Sequence, residues 1–298
     1  MVTRLTDAEQ WEILIEEMGY MAQLRNLRNF DSAGINSALR NKVSQRLSNP
    51  AEVAKSKQLP FRFYSAWMNV KDQRWLPALE KALQNSIPNI PQLDGRSLIL
   101  IDTSGSMQAG MSSPDRGGWR RPRVRNVQTG EEEDVTSKVP TRVDAAALFG
   151  MALAMRNAGA VDVYGFADGQ MAVNNIANSG KSLLAATELF GQQIGKVGHG
   201  TQIERAVRDT YKAHDRVFIF TDMQTVGNEY LHAYGGSDGD ITRSVPKDKH
   251  VYGFDLSGYT NTAMEPTPYR HEMGGLTDHT FGAVPQIEAG AAGKWPWE

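Results

Sequence analysis

The sequence predicts an α/β fold, a doubly wound and mostly parallel sheet, preceded by an all-α helical-repeat segment. Two short, unbroken apolar runs lead there: Leu98-Ile99-Leu100-Ile101 and Val217-Phe218-Ile219-Phe220 read as strands buried on both faces, as a parallel sheet requires. Helical patterns lie between these and two further runs, Val161 to Phe166 and Val251 to Leu256, so strands and helices alternate. Before residue 95 the texture differs. Apolar residues there recur only at helical spacing.

Residues 1–94 form the first unit. Thr6 with Glu9 has the form of a capping box, and behind it Trp11, Leu14, Ile15, Met18, Met21 and Leu24 repeat on one face. Ile35, Leu39, Val43 and Leu47 mark a second helix, stopped at Ser48-Asn49-Pro50, where proline suits the first turn of the next. Pro60 opens an aromatic-rich segment, and Leu76, Leu79 and Leu83 mark a last helix. From Arg25 to Arg62 there are eight basic residues (among them Arg28, Arg40, Lys42 and Arg46) against the two acids Asp31 and Glu52. This stretch is either an anion-binding face or the solvated outside of packed helices.

Ile87 to Gly95, with two prolines and a glycine, is the boundary between the units. The second unit spans residues 95–298. Its first strand ends at Asp102 and is followed by a long loop, 108–140, without usable periodicity. That loop carries Trp119, Arg120, Arg121, Arg123 and Arg125, then Glu131, Glu132, Glu133 and Asp134. The basic and acidic blocks neutralise one another, or the arginines and the tryptophan hold phosphates and a base. Thr141 and Asp144 start a helix, and from Ala145 to Met155 it is apolar on every side, so it should be buried against the sheet. Met171 to Val173 reads as an edge strand, Leu183 to Ile194 and the residues after Thr201 as helices, and Thr277 to about Val284 as a closing helix.

Composition narrows the classes. With 298 residues and a formal net charge of -2, the chain is not a uniformly basic nucleic-acid binder, and DNA is not an expected partner. The absence of cysteine removes disulfides and thiol chemistry together. No apolar run is long enough for a membrane span, and the acidic first 20 residues lack a secretory pattern, so a cytoplasmic protein is expected. No catalytic set emerges. His271 and His279 lack zinc-like partners, and Gly235-Gly236-Ser237-Asp238-Gly239 has neither a strand before it nor a helix after it, so it reads as a flexible loop.

The constellation with chemical content lies at the strand ends. Asp102 and Asp222 each close a buried strand, and parallel strands deliver both carboxylates to one edge, where such sheets collect ligands. Ser104 and Ser106 follow Asp102, and Thr201 sits in a glycine-flanked loop before a helix. Two acids and three hydroxyls suit a hard cation, Mg²⁺ above all, with Mn²⁺ or Ca²⁺ as alternatives. Each residue also has a plainer reading. Thr201 with Glu204 spells a capping box, Ser104 and Ser106 suit a turn, and Asp222 could cap a helix or pair with an arginine.

Asp102, Ser104, Ser106, Thr201 and Asp222 in this order resemble the metal-ion-dependent adhesion site (MIDAS) of von Willebrand factor A domains, whose sheet is Rossmann-like. The resemblance covers about residues 96–290. It implies a site that docks a partner's acidic group and does no chemistry.

Met21 to Leu27, Gln58 to Phe63 and Leu76 to Leu79 look like the closing helices of the TROVE module of Ro autoantigen proteins, where helical repeats lead through a short linker into an A domain. Val251 to Tyr259 and Gly274 to Asp278 resemble the bacterial members. The resemblance implies an RNA-binding ribonucleoprotein component, a non-enzymatic scaffold in RNA metabolism. Its partners would be small structured RNA of the Y type or single-stranded RNA. Candidate RNA contacts are Arg25, Arg28, Arg40, Lys42, Arg46, Arg120, Arg121, Arg123 and Arg125. The family's ring needs several times more helix than precedes residue 94, so a closed ring is not expected from one copy. The alternative is a cation-dependent protein-interaction module without RNA binding.

Overall fold

The computed structural model describes residues 6–110, 123–125, 132–134, 140–222, 240–257, 264, 267–276 and 278–294. Seven helices come first: α1 (Asp7–Glu17), α2 (Tyr20–Arg25), α3 (Leu27–Ala33), α4 (Ser37–Leu47), α5 (Pro50–Ser56), α6 (Pro60–Asn69) and α7 (Leu76–Asn85). Their starts follow local chemistry. Thr6 and Glu9 form the reciprocal capping box, Asn36 and Asn49 accept backbone N–H groups of the turns they open, and Pro50 and Pro60 occupy first-turn positions. Residues 87–95 carry only the 3₁₀ turn Ile87–Asn89.

Beyond the linker the strands are β1 (Ser97–Asp102), β4 (Val161–Phe166), β5 (Gln170–Ala172), β6 (Arg216–Thr221), β7 (His250–Asp255) and β8 (Arg270–Gly274). They form one sheet in the order β5-β4-β1-β6-β7-β8, parallel except for β5 at one edge. The helices are α8 (Arg142–Arg156), α9 (Asn174–Ala177), α10 (Leu183–Gly191), α11 (Ile203–Thr210) and α12 (Asp278–Ala291). Alternation along the strands gives each face its own core. Leu98, Leu100, Val217 and Ile219 join Ile203, Ala206 and Val207 of α11. Ile99, Ile101, Phe218 and Phe220 join α8, α12 and the helical segment. Gly150 lets α8 lie close on β1, because a Cβ there would press into the Ile101 side chain.

The two units share that second core. Phe149 of α8 stacks on Phe61 of α6 at 5.7 Å and on Phe281 of α12 at 4.9 Å. Polar ties cross the boundary as well. Ser182 Oγ donates to Glu80 at 2.9 Å, the Leu183 N–H donates to Gln84 Oε1 at 2.8 Å, and Arg156 Nε donates to the Ile90 carbonyl at 2.9 Å.

Some elements differ from the sequence expectation. The closing helix runs on to Ala291, with Pro285 inside it. Strand β8 has no sequence signature, because Arg270-His271-Glu272-Met273-Gly274 has no apolar alternation; it is an edge strand, partly exposed along its length. The 108–140 segment contains a short antiparallel ladder of β2 (Arg123–Arg125) and β3 (Glu132–Asp134). Its backbone register sets Arg123 opposite Asp134 and Arg125 opposite Glu132.

Candidate metal site and basic groove

The sheet reverses its winding direction beside β1. From there the chain builds outward to β4 and β5, then crosses to β6 on the other side. The crevice between the carboxyl ends of β1 and β6 is the switch point where α/β sheets bind ligands. Asp102 is the last residue of β1, and Asp222 follows β6 directly; both are fully buried. Burial pushes the Asp102 carboxyl up to about 7. The Thr221 hydroxyl and the Ser104 N–H, donating at 2.6 and 2.8 Å, oppose that rise, while the charge of Asp222 adds to it.

Ser106 lies in the 3₁₀ turn Gly105–Gln108, with its Oγ 3.2 Å from Ser104 Oγ. The Gly105 N–H donates to the His199 carbonyl at 3.1 Å, which brings the Thr201 loop against this turn. Thr201 is buried and does not cap α11. The cap position is Gln202, which makes no side-chain cap bond, and Glu204 is drawn off into an ion pair with Arg243 at 2.5 Å. The capping-box reading of Thr201 therefore fails.

Two features at this edge are invisible in the motif. Asp168 holds the Thr201 loop: the His199 N–H donates to its carboxylate at 3.0 Å, and a Cβ at Gly198 or Gly200 would overlap that carboxylate. Arg142, the first residue of α8 and 1% exposed, donates from Nη1 to Asp222 Oδ2 at 3.1 Å. The arginine pairing considered for Asp222 is thus realised. Among the described residues no three His, Cys, Asp or Glu side chains gather as a metal group. The donor set is two carboxylates plus hydroxyls, all oxygen, which fits a hard cation with Asp222 shared between it and Arg142.

The basic candidates scatter. Arg25 and Arg28 are exposed and line a groove of about 450 Å³ with Arg62, over a floor that includes Met21, Leu24, Phe61 and Val70. Lys42 is exposed and paired with Glu16 at 2.5 Å, while Arg46 binds Glu52 at 3.1 Å and the Met18 carbonyl at 2.8 Å. Arg40 departs from the expectation of a surface contact. It is buried on the core side of α4, 3.4 Å from Asp72 and stacked over Trp75. Its position three residues before Val43 and seven before Leu47 puts it on the apolar stripe, a signal legible in the sequence. Arg123 and Arg125 fall on β2, while Arg120, Arg121 and the segment Gly235 to Gly239 lie outside the described residues.

Residues 1–74 match the family model described as the TROVE domain. Among solved structures, the chain shares the fold of the RO (RSR) protein of Deinococcus radiodurans, with a TM-score of 0.65 and 18% identity. The match covers 96% of this chain and 55% of that one, so the chain spans about half that protein's length.

Proposed function

We propose that this chain is an RNA-binding, non-catalytic ribonucleoprotein component whose α/β half carries a divalent-cation site for docking a partner. The observation that carries the RNA reading is the groove of Arg25, Arg28 and Arg62, which lies inside the segment matching the TROVE domain. Three guanidinium groups around a partly apolar floor suit a phosphate backbone with a base laid against Phe61. Small structured RNA of the Y type or single-stranded RNA would be the ligand. At the sheet edge, Asp102, Ser104, Ser106, Thr201 and Asp222 would hold Mg²⁺, with Mn²⁺ or Ca²⁺ as substitutes. The bound ion would supply an open coordination position for an acidic oxygen. The chain's own residues orient the donors: Thr221 fixes Asp102, and Asp168 fixes the loop of Thr201.

RNA binding is tested by fluorescence anisotropy of the full chain with a labelled small structured RNA between about 50 and 200 mM salt, a range over which three phosphate contacts lose roughly 20- to 40-fold in affinity. Arg25→Ala and Arg28→Ala should each weaken binding and reduce the salt slope by about one. Binding unchanged in both variants would remove the groove from the reading.

A second reading, a cation-dependent protein-interaction module without RNA, is favoured by the internal pairing of Arg40, Lys42 and Arg46. It requires chelator-sensitive capture of a partner with an exposed carboxylate, and indifference to ribonuclease.

A further inference from the structure

The two acids at the sheet edge are held differently. Asp102 takes its hydrogen bonds from neutral donors, the Thr221 hydroxyl and the Ser104 N–H. Asp222 is held by a full positive charge, the guanidinium of Arg142. We propose that Arg142 is a built-in counter-cation that competes with the divalent ion for Asp222 and so sets how tightly the edge holds metal. This rests on the metal-site reading and names a residue that the five-part motif does not contain.

The placement of Arg142 follows from local structure. The Thr141 and Asp144 capping box fixes the start of α8, and the Arg142 N–H donates to the Ala109 carbonyl at 2.9 Å. Ala109 follows the turn that carries Ser106, so the backbones bearing Arg142 and the hydroxyl donors are tied together. The guanidinium therefore stays beside the site at high effective concentration. A buried ion pair is a poor source of stability, since well-packed apolar side chains often serve as well. Its cost is intelligible where the carboxylate also serves another cation. With both carboxylates ionised to receive a cation, they sum with the guanidinium to one negative charge; without Arg142, to two. A divalent ion entering the first arrangement must share or displace Arg142, and it meets half the attraction.

The test is Mn²⁺ binding to the full chain, read from the free-Mn²⁺ electron paramagnetic resonance signal, with circular dichroism melts to establish folding. Arg142→Gln keeps an N–H donor for Asp222 without the charge, Arg142→Met removes both, and Arg142→Lys keeps the charge. Arg142→Gln and Arg142→Met should bind Mn²⁺ at least about tenfold tighter than the wild type, and Arg142→Lys within about threefold of it. A wild type that binds no Mn²⁺ beside an Arg142→Gln variant that does would support the proposal in its strongest form. Wild-type binding with unchanged or weaker affinity in a folded Arg142→Gln variant would overturn the proposal and leave the metal reading standing. No binding by the wild type or by any folded variant would remove the metal reading, and the proposal with it.

Discussion

In the helical half Arg40 lies between Asp31 and Asp72, while in the α/β half Arg142 faces Asp222, and these two of the buried arginines are surrounded differently. Arg40 is enclosed by its own unit. Trp75 stacks against it and donates from Nε1 to Asp31 at 2.8 Å, and Arg74 binds Asp72 at 2.6 Å and holds that carboxyl down at about 2. Arg142 instead reaches from a helix start to Asp222 at the end of β6, beside the strand that ends at Asp102 and runs on to Ser104 and Ser106. The same kind of ion pair is closed in by its own unit around Arg40, and around Arg142 it lies where the proposed cation would sit.

The sharpest way to break that contrast is at the clamp. Trp75→Ala removes a fully buried ring and the Asp31 hydrogen bond, and should cost about 3–5 kcal/mol in urea denaturation. Mn²⁺ affinity should be unchanged. Arg40→Ala should cost about 3 kcal/mol, the low end for a broken buried pair, because Asp72 keeps Arg74. It too should leave Mn²⁺ binding alone; a large change in affinity would show that the halves are not separable in this way.

A smaller effect on stability is expected on the metal side. Gly198 has φ +95°, and a Cβ there would meet Asp168, so Gly198→Ala should cost about 1–3 kcal/mol. Unlike the clamp variants it should also weaken Mn²⁺ binding, by displacing Thr201.

The smallest effect lies at the β7–β8 edge, where His250 Nδ1 and His271 Nε2 are 2.9 Å apart. Burial lowers the pKa of both, that of His271 to about 4, and each ring is further lowered by neighbouring positive charge. Between about pH 6.5 and 4 the unfolded chain binds more protons at these sites, so their contribution is full above pH 6.5 and lost as pH falls. Denaturation midpoints of His271→Asn should decline less over that window than those of the wild type. An equal decline would remove the histidine pair as the cause.

Much of this was readable in advance because it is local. Strands β1 and β6 announce themselves by apolar runs ending in a carboxylate, and α8 by the Thr141 and Asp144 box. Other features depend on which strands become neighbours. Arg142 at the first turn of a helix carries no local sign of its partner, because Asp222, 80 residues further on, comes beside it only when β6 is placed next to β1. Thr201 and Glu204 spell a capping box, but Arg243, remote in sequence, takes the glutamate. Strand β8 owes its existence to the exposed edge of β7 rather than to its own pattern, so no periodicity could reveal it.

Five oxygen-bearing side chains at one sheet edge are proposed to hold a hard cation. Anomalous scattering from crystals of the full chain soaked in Mn²⁺ tests it directly. A peak is expected at coordination distance, roughly 2.0–2.6 Å, from the oxygens of Ser104 and Ser106, between Asp102 and Asp222. Well-ordered crystals with no peak there, or with Mn²⁺ bound only elsewhere, would contradict it.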